Sequence, residues 1–377
     1  MYLIFFADKD KIFLANTHPA VDNMRRKVTT GNSSYYTIAK FLSKGNNNID
    51  CDILFIDECS TVSNIDMQSI LEKAKFKLLV LVGDIYQIES IYFGNWFTIA
   101  KEFLRKSATI ELTHPYRTNN EELLKVWKNV REFGNTVLEP LVSNGYVARL
   151  DGSIFERDGE DEIILCLNYD GLYGINNINR FLQNSNPNEK YNLGINSYKV
   201  DDPILFNESN IFSPLIHNNS KGRIVGIHPE EERIWFDIEL DKAINEIDAS
   251  VYDFKLIGES ASGNSIISFS VNKFRNSDED DDSNVVPFQV AYAVSIHKAQ
   301  GLEYDSVKIV ITNETEERIT HNIFYTAITR TKNKLKIYWS PETEKAVLDR
   351  FVQKKYTKDE GLLSALHSLK MVKSKKG

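Results

Sequence analysis

Cysteine is scarce in this 377-residue chain: Cys51, Cys59 and Cys166 are all there are, and none belongs to a CxxC pair. A disulfide framework and a zinc-ligand spacing are therefore excluded, and the three read as reduced, buried thiols. Long apolar runs are missing too. The longest, Tyr2 to Ala7 and Leu78 to Val82, fall far short of the roughly 20 residues that a bilayer span needs. The first lacks a basic lead-in and meets charge at Asp8 to Lys11, unlike a secretory leader. The expected location is the cytoplasm, with no membrane partner. Glycine and proline, at 18 and 9 residues, are too few for a collagenous or low-complexity chain. Nor is positive charge in excess. A formal charge of −8 gives no overall attraction to nucleic acid, so such a contact would need a local basic strip.

What is present is ordinary globular material, 42% hydrophobic and 26% charged. At about 150 residues per domain the length suggests two to three domains. Lys11 to Ala15, Ile53 to Ile56, Leu78 to Val82 and Thr109 to Leu112 are short apolar runs, separated by helix-like segments such as Met67 to Ala74 and Trp96 to Leu104. Continuous apolar strands between helices imply a parallel sheet covered on both faces. A helical pattern over Asn119 to Phe133, a buried strand at Glu162 to Leu167 and a helix at Asn176 to Gln183 follow. From about Ile204 to Val271 the texture becomes β-branched and alternating, as in Arg233-Ile-Trp-Phe-Asp-Ile238. That predicts a small β module inserted into an α/β framework. The framework resumes at Val290 to Ala299, with strands predicted at Val307 to Ile311 and Lys334 to Trp339 around a helix at Ile323 to Thr329. Ser277 to Ser283 (SDEDDDS) reads as a solvated acidic loop, and Lys370 to Lys376 as a basic tail. The expected division is a first domain at 1–112, a second at 113–200 and 286–345, an inserted module at 201–285, and a C-terminal helix and tail at 346–377.

The residue types that carry chemistry stand where strands end. Asp57 and Glu58 close the run Ile53-Leu-Phe-Ile56, at the carboxyl edge where α/β sheets open a crevice. One carboxylate there suits Mg²⁺ held through water, and a second suits polarising an attacking water. Gly83-Asp-Ile-Tyr-Gln87-Ile88 follows the next run, and its glutamine can hydrogen-bond a phosphate. Arg117, in Pro115-Tyr-Arg-Thr118, can reach a phosphate bidentately. Ser295-Ile-His297-Lys298-Ala-Gln-Gly301-Leu-Glu303 gathers hydroxyl, imidazole, ammonium and amide groups around a glycine turn, a composition suited to a sugar-phosphate backbone and a nucleotide. Arg330 ends the Tyr325-Thr-Ala-Ile-Thr-Arg330 segment and suits an arginine finger. Tyr36 and Trp96 are candidate base-stacking aromatics.

Taken in order, these segments resemble a superfamily 1 helicase of the UvrD/RecD-like group. Ile12 to Val28 (IFLANTHPAVDNMRRKV) is similar to motif Ia, and Tyr36 to Leu42 (YTIAKFL) to the next strand-contacting motif. DECS, GDIYQI, PYRT, SIHKAQGLE and YTAITRT are similar to motifs II to VI. The resemblance implies an α/β fold of two RecA-like parallel-sheet domains, the second interrupted by an SH3-like β module. It implies ATP and Mg²⁺ as cofactors: Asp57 as metal ligand with Glu58 activating water, Gln87 sensing the γ-phosphate, and Arg117 and Arg330 contacting it from the second domain. Gly301 and Glu303 would lie near the nucleotide. Thr17, Thr37, Ser295, His297 and Lys298 would lie along single-stranded nucleic acid, DNA ahead of RNA. The β insertion resembles that of RecD-like members, which implies 5′ to 3′ movement.

One part of the family pattern is missing. The phosphate-cradling GxxxxGK[ST] loop does not occur, and only twelve residues precede Phe13. The expectation is an amino-terminally truncated helicase or a natural degenerate relative, hydrolysing ATP poorly alone, with the missing segment or a partner protein as a further component. The alternative is a non-catalytic single-strand-binding relative. A sheet lacking an inner strand should also expose an edge or an apolar patch.

Overall fold

A computed structural model describes residues 7–28, 31–45, 49–88, 90, 94–112, 117–133, 137–207, 212, 215–273, 285–351 and 361. The acidic run, the basic tail and Pro115-Tyr116 lie outside them. The chain divides into two compact units, Met1–Pro140 with Ile319–Thr326 and Val347–Gly377, and Leu141–Arg318 with Ala327–Ala346.

The first unit alternates strand and helix: β1 (Lys11–Ala15), α1 (His18–Lys27), β2 (Ser33–Thr37), α2 (Ile38–Ser43), β3 (Ile49–Ile56), α3 (Asn64–Lys73), β4 (Ala74–Leu81), α4 (Trp96–Ala100) and α5 (Glu121–Arg131). The four strands are parallel in the order β2-β1-β3-β4. Their core is Leu14, Leu54, Ile56, Phe41 and Ile70. Local signals set the helix starts, because a side-chain oxygen satisfies amides that have no partner within the helix. Ser63 Oγ accepts from Asp66 N at 3.0 Å, and Asn120 Oδ1 accepts from Glu122 and Leu123 N at 3.1 and 3.2 Å.

One expected strand is absent. Thr109–Leu112 is irregular, with Ile110 84% and Leu112 80% exposed. A four-residue apolar run becomes a strand only beside a neighbour that can share its hydrogen bonds, and among the described residues none pairs with it. β4 is likewise an edge strand, with Leu78 44% exposed.

In chain order the second unit contains α6 (Leu138–Ser143, whose first residues fall in unit one), β5 (Val147–Ala148), β6 (Glu162–Cys166), α7 (Ile175–Ser185), β7 (Tyr191–Leu193) and β8 (Asn196–Tyr198). Then come β9 (Pro203–Phe206), β10 (Lys221–Pro229), β11 (Arg233–Leu240), α8 (Glu246–Ala249), β12 (Lys255–Glu259), β13 (Ser265–Asn272), β14 (Phe288–Val290), β15 (Ala293–Ser295) and β16 (Tyr304–Val310). α9 (His321–Ile328, whose residues through Thr326 fall in unit one), β17 (Thr331–Tyr338) and α10 (Pro341–Asp349, whose residues from Val347 fall in unit one) end the sequence of elements. A parallel five-stranded sheet runs β15-β6-β16-β17-β5. Between β6 and β15 in sequence, an antiparallel six-stranded sheet, β12-β13-β11-β10-β9-β14, forms the inserted module. Its strand β11 alternates buried and partly buried residues, as the sequence pattern predicts, around a core of Phe206, Phe212, Phe236, Phe269 and Phe288.

Candidate functional site

In the first unit the polar candidates share the carboxyl edge of the sheet. Thr37 is the last residue of β2, Thr17 and Asp57 stand just past the ends of β1 and β3, and Gly83 follows β4 by one further residue. Thr37 Oγ1 accepts from Lys40 N at 3.2 Å, so it caps α2 while remaining buried. Thr17 Oγ1 accepts from Ala20 N at 3.4 Å and donates to Glu58 Oε2 at 3.3 Å. Motif Ia is thereby tied to the water-activating candidate. Glu58 itself has φ 52°, a left-handed conformation that a non-glycine residue holds only where its surroundings impose it. Asp57 Oδ1 accepts from Glu58 N at 2.8 Å. Burial pushes the Asp57 carboxyl above its ordinary value, against the Glu58 amide and the charge of Lys27.

A half-buried carboxylate so lightly neutralised is chemically suited to a divalent cation. Among the described residues no three metal-ligating side chains converge, so further ligands would have to be water and phosphate oxygens, the usual arrangement for Mg²⁺.

Gly83 is required where it stands. A Cβ there would lie 2.8 Å from Phe97 Cε1 and 3.0 Å from Cys59 N, so the chain after β4 runs hard against the loop that carries Glu58. Beyond it, Gln87 N donates to Asp84 O at 3.2 Å. The sequence reading missed two residues that hold this turn. Asn322 Nδ2 donates to Gln87 O at 2.8 Å, and Thr326 Oγ1 accepts from Ile88 N at 2.9 Å. Their spacing was a usable signal: two polar residues four apart lie on one face of an otherwise apolar helix. Tyr36 lies under the Lys44 ammonium, 3.4 Å from the ring centroid, and Trp96 Nε1 donates to Val62 O at 2.8 Å.

In the second unit Ser295 ends β15, and its Oγ accepts from Lys298 N at 3.1 Å, closing a turn that leaves His297 exposed. Lys298 Nζ donates to Gln289 Oε1 at 2.8 Å, and burial lowers its pKa. The chain then crosses to the start of β16 through Gly301, whose φ of +80° favours glycine. Arg330 is 2% exposed, and its Nη1 donates to Leu302 O at 3.3 Å. Gly301, Glu303 and Arg330 thus meet at the amino ends of β16 and β17. Arg117 is half-buried at the start of α5's approach.

Two family models match the sequence, an AAA domain over residues 7–151 and the UvrD-like helicase C-terminal domain over residues 290–338. The RecBCD enzyme subunit RecD of Mycolicibacterium smegmatis is 22% identical over 343 residues, covering 83% of this chain and 54% of that one. In sequence and fold the chain resembles superfamily 1 helicases. It spans about half the length of that RecD subunit. RecD of Buchnera aphidicola subsp. Acyrthosiphon pisum is 20% identical, covering 89% of this chain and 60% of its own. Among solved structures, a Bacteroides Pif1 helicase in complex with ADP-AlF3 and ssDNA is similar with a TM-score of 0.54 at 14% identity, covering 96% and 88% of the two chains. A Candida albicans Pif1 helicase gives 0.52 at 13%, covering 96% and 97%. At such identities the likeness concerns the fold: two parallel sheets of the kind found in RecA-like domains. Among the described residues no helix is long and apolar enough to cross a membrane.

Proposed function

We propose that this chain is the strand-tracking and nucleotide-responding part of an ATP-dependent superfamily 1 helicase or translocase that moves 5′ to 3′ on single-stranded DNA. One arrangement carries the proposal: Thr17, Thr37, Asp57 and the Gly83–Gln87 turn stand at or just past the carboxyl ends of neighbouring strands of a single parallel sheet. Bound Mg²⁺ with ATP would neutralise phosphate charge beside Asp57. Glu58, held by the Thr17 hydroxyl, would accept a proton from the attacking water. Gln87 would register the γ-phosphate and pass its state to Asn322 and Thr326 through the turn they hold. Gly301 and Glu303 would border the nucleotide, with Arg117 and Arg330 as the guanidinium groups for transferring charge. For that role Arg330 has to turn out of the buried setting in which it contacts Leu302. Thr17, Thr37, Ser295, His297 and Lys298 would carry the strand.

Because GxxxxGK[ST] is absent from the sequence, slow ATP hydrolysis by the chain alone is part of the proposal. The same absence favours a second reading, a non-catalytic single-strand-binding relative. Titration of a labelled strand at several salt concentrations tests what both share. Binding should weaken linearly in log–log form, and Lys298→Ala should lower the slope by about one phosphate contact. No binding at low salt would remove both. Turnover stimulated by the strand and abolished by Glu58→Gln would refute the slow-hydrolysis expectation and the non-catalytic reading together.

A further inference from the structure

The inserted β module presents an ammonium to the very loop that the proposed function uses. Lys221, the first residue of β10, has its Nζ 2.7 Å from Asp161 Oδ1, 3.4 Å from Asp241 Oδ2 and 3.0 Å from Glu303 O. The same atom sits 4.3 Å from the centroid of the Tyr304 ring. Its four neighbours come from three separate places: the end of β11, the approach to β6, and the segment between Gly301 and β16. Asp161 binds that segment a second time, since its Oδ2 accepts from Asp305 N at 3.0 Å and its carbonyl accepts from Ser306 N at 3.1 Å.

The surroundings make the ammonium more than a decoration. On this side the module and the parallel sheet enclose a cavity of about 460 Å³, lined by Arg157, Glu160, Asp161, Asp201, Lys221 and Arg223 among others. Apolar residues share its walls, Ile204, Leu205 and Leu240 among them, and the charged side chains pair across it between the module and the parallel sheet. Arg223, two residues along the same strand, bonds Glu239 at 2.8 Å within the module and reaches Glu160 at 3.3 Å. Lys221 is the better placed of the two. Its side chain is only 17% exposed, which limits solvent screening, and it alone meets the backbone of the loop.

We infer that Lys221 is a positioning residue, through which the β module holds the Gly301–Asp305 segment, and with it the nucleotide- and strand-facing loop, in a single conformation. The inference deepens the proposed function and rests on it for its consequence on strand binding. It does not rest on it for the mechanical tie, which concerns this chain's own backbone.

The test uses the full chain and three variants, Lys221→Met, Lys221→Arg and Asp241→Asn. Amide exchange is followed in peptides covering 296–305, with a labelled single strand bound at low salt in parallel. Lys221→Met should speed exchange there and weaken strand binding by about 5- to 10-fold, the lower range for coupling between linked sites. Lys221→Arg, which keeps the charge and the ring contact, should restore most of both, which a purely space-filling role would not do. Asp241→Asn removes a single exposed partner and should produce a smaller rise in exchange without lowering Tm, so an unfolded Lys221→Met still leaves a decisive measurement. Parent-like exchange in 296–305 for both Lys221→Met and Asp241→Asn overturns the inference. Loss of strand binding by the parent itself overturns the proposed function instead, while the exchange result still decides the tie.

Discussion

The two parallel sheets of this chain are built from similar sequence and finished differently. In the second unit β6 is buried along its whole length, and β16 at all but one position. Even the charges there are internal: Glu162 and Lys308 on adjacent strands are each 3% exposed and 3.2 Å apart, with Ser306 Oγ on the same carboxylate. In the first unit β4 is exposed or partly exposed at every position after Ala74. An inner strand is held from both sides, whereas an edge strand keeps half its hydrogen-bonding groups for something else. Among the described residues the first unit's sheet therefore ends on a long unfinished edge, while the candidate residues with chemistry divide evenly between the two units.

Truncating a core leucine in each sheet should give the largest difference. Leu165 in β6 is 0% exposed, so Leu165→Ala should cost about 2–5 kcal/mol through lost transfer energy and a cavity. Leu78→Ala on β4 should cost less than about 1 kcal/mol, because nearly half of that side chain already meets water. Denaturant titration of both variants decides it, and equal costs would erase the asymmetry.

The next contrast is between a buried carboxylate and a half-buried one. Asp202, at 0% exposure, accepts from Gln183 at 2.6 Å, Asn186 at 3.1 Å, Lys199 N at 2.9 Å and Tyr292 OH at 2.8 Å. Asp57 has the single Glu58 amide. Tyr292→Phe should cost about 1–3 kcal/mol, since it leaves a buried acceptor short of a donor. Burial raises both carboxyl pKa values above the ordinary 3.8. With the folded pKa raised, the folded state binds protons more tightly than the unfolded one, so the contribution to stability is greatest below 3.8 and falls as pH climbs through the folded value. Asp57→Asn cannot ionise, and it should therefore gain on the parent as pH rises from about 4 to 7. A gap that stays constant with pH would mean that Asp57 is not desolvated.

How far the sequence reveals all this depends on the scale of the interaction. The alternation in Arg233–Leu240 and the apolar runs at Lys11–Ala15 and Glu162–Cys166 are local patterns, and they identify strands because burial acts on each residue separately. Thr109–Leu112 has the same pattern and fails, because a strand also needs a neighbour, which no local pattern contains. Ser33–Thr37 is the converse case. Its polar and aromatic residues look like loop, and pairing with β1 makes it a strand. That Asp57, Glu58 and Gln87 stand past the ends of strands was legible from the apolar runs before them. Lys221 was not, since its partners lie 60, 20 and 82 residues away in sequence.

Thr17 offers a smaller effect with two readings. Thr17→Val removes the α1 cap and the Glu58 contact together and should cost about 0.5–2 kcal/mol, the usual worth of such a cap. Thr17→Ser keeps the hydroxyl and should stay at parental stability. Thermal unfolding separates them, and a Thr17→Val protein as stable as the parent would show that the first unit's carboxyl edge does not depend on this residue.

The smallest expected effect is the most direct test of the unfinished sheet. Ile110 and Leu112 are two residues apart and project from a segment that has no strand partner among the described residues. If water is their neighbour, Ile110→Ser with Leu112→Ser should change stability by no more than about 0.5 kcal/mol, as at other surface positions. The same double variant should raise the concentration at which the chain self-associates, because a contiguous apolar strip is removed from the surface. Light scattering reads the second effect and denaturant titration the first. A loss of several kcal/mol would mean that these side chains are covered after all, and that the first sheet is extended by a further strand.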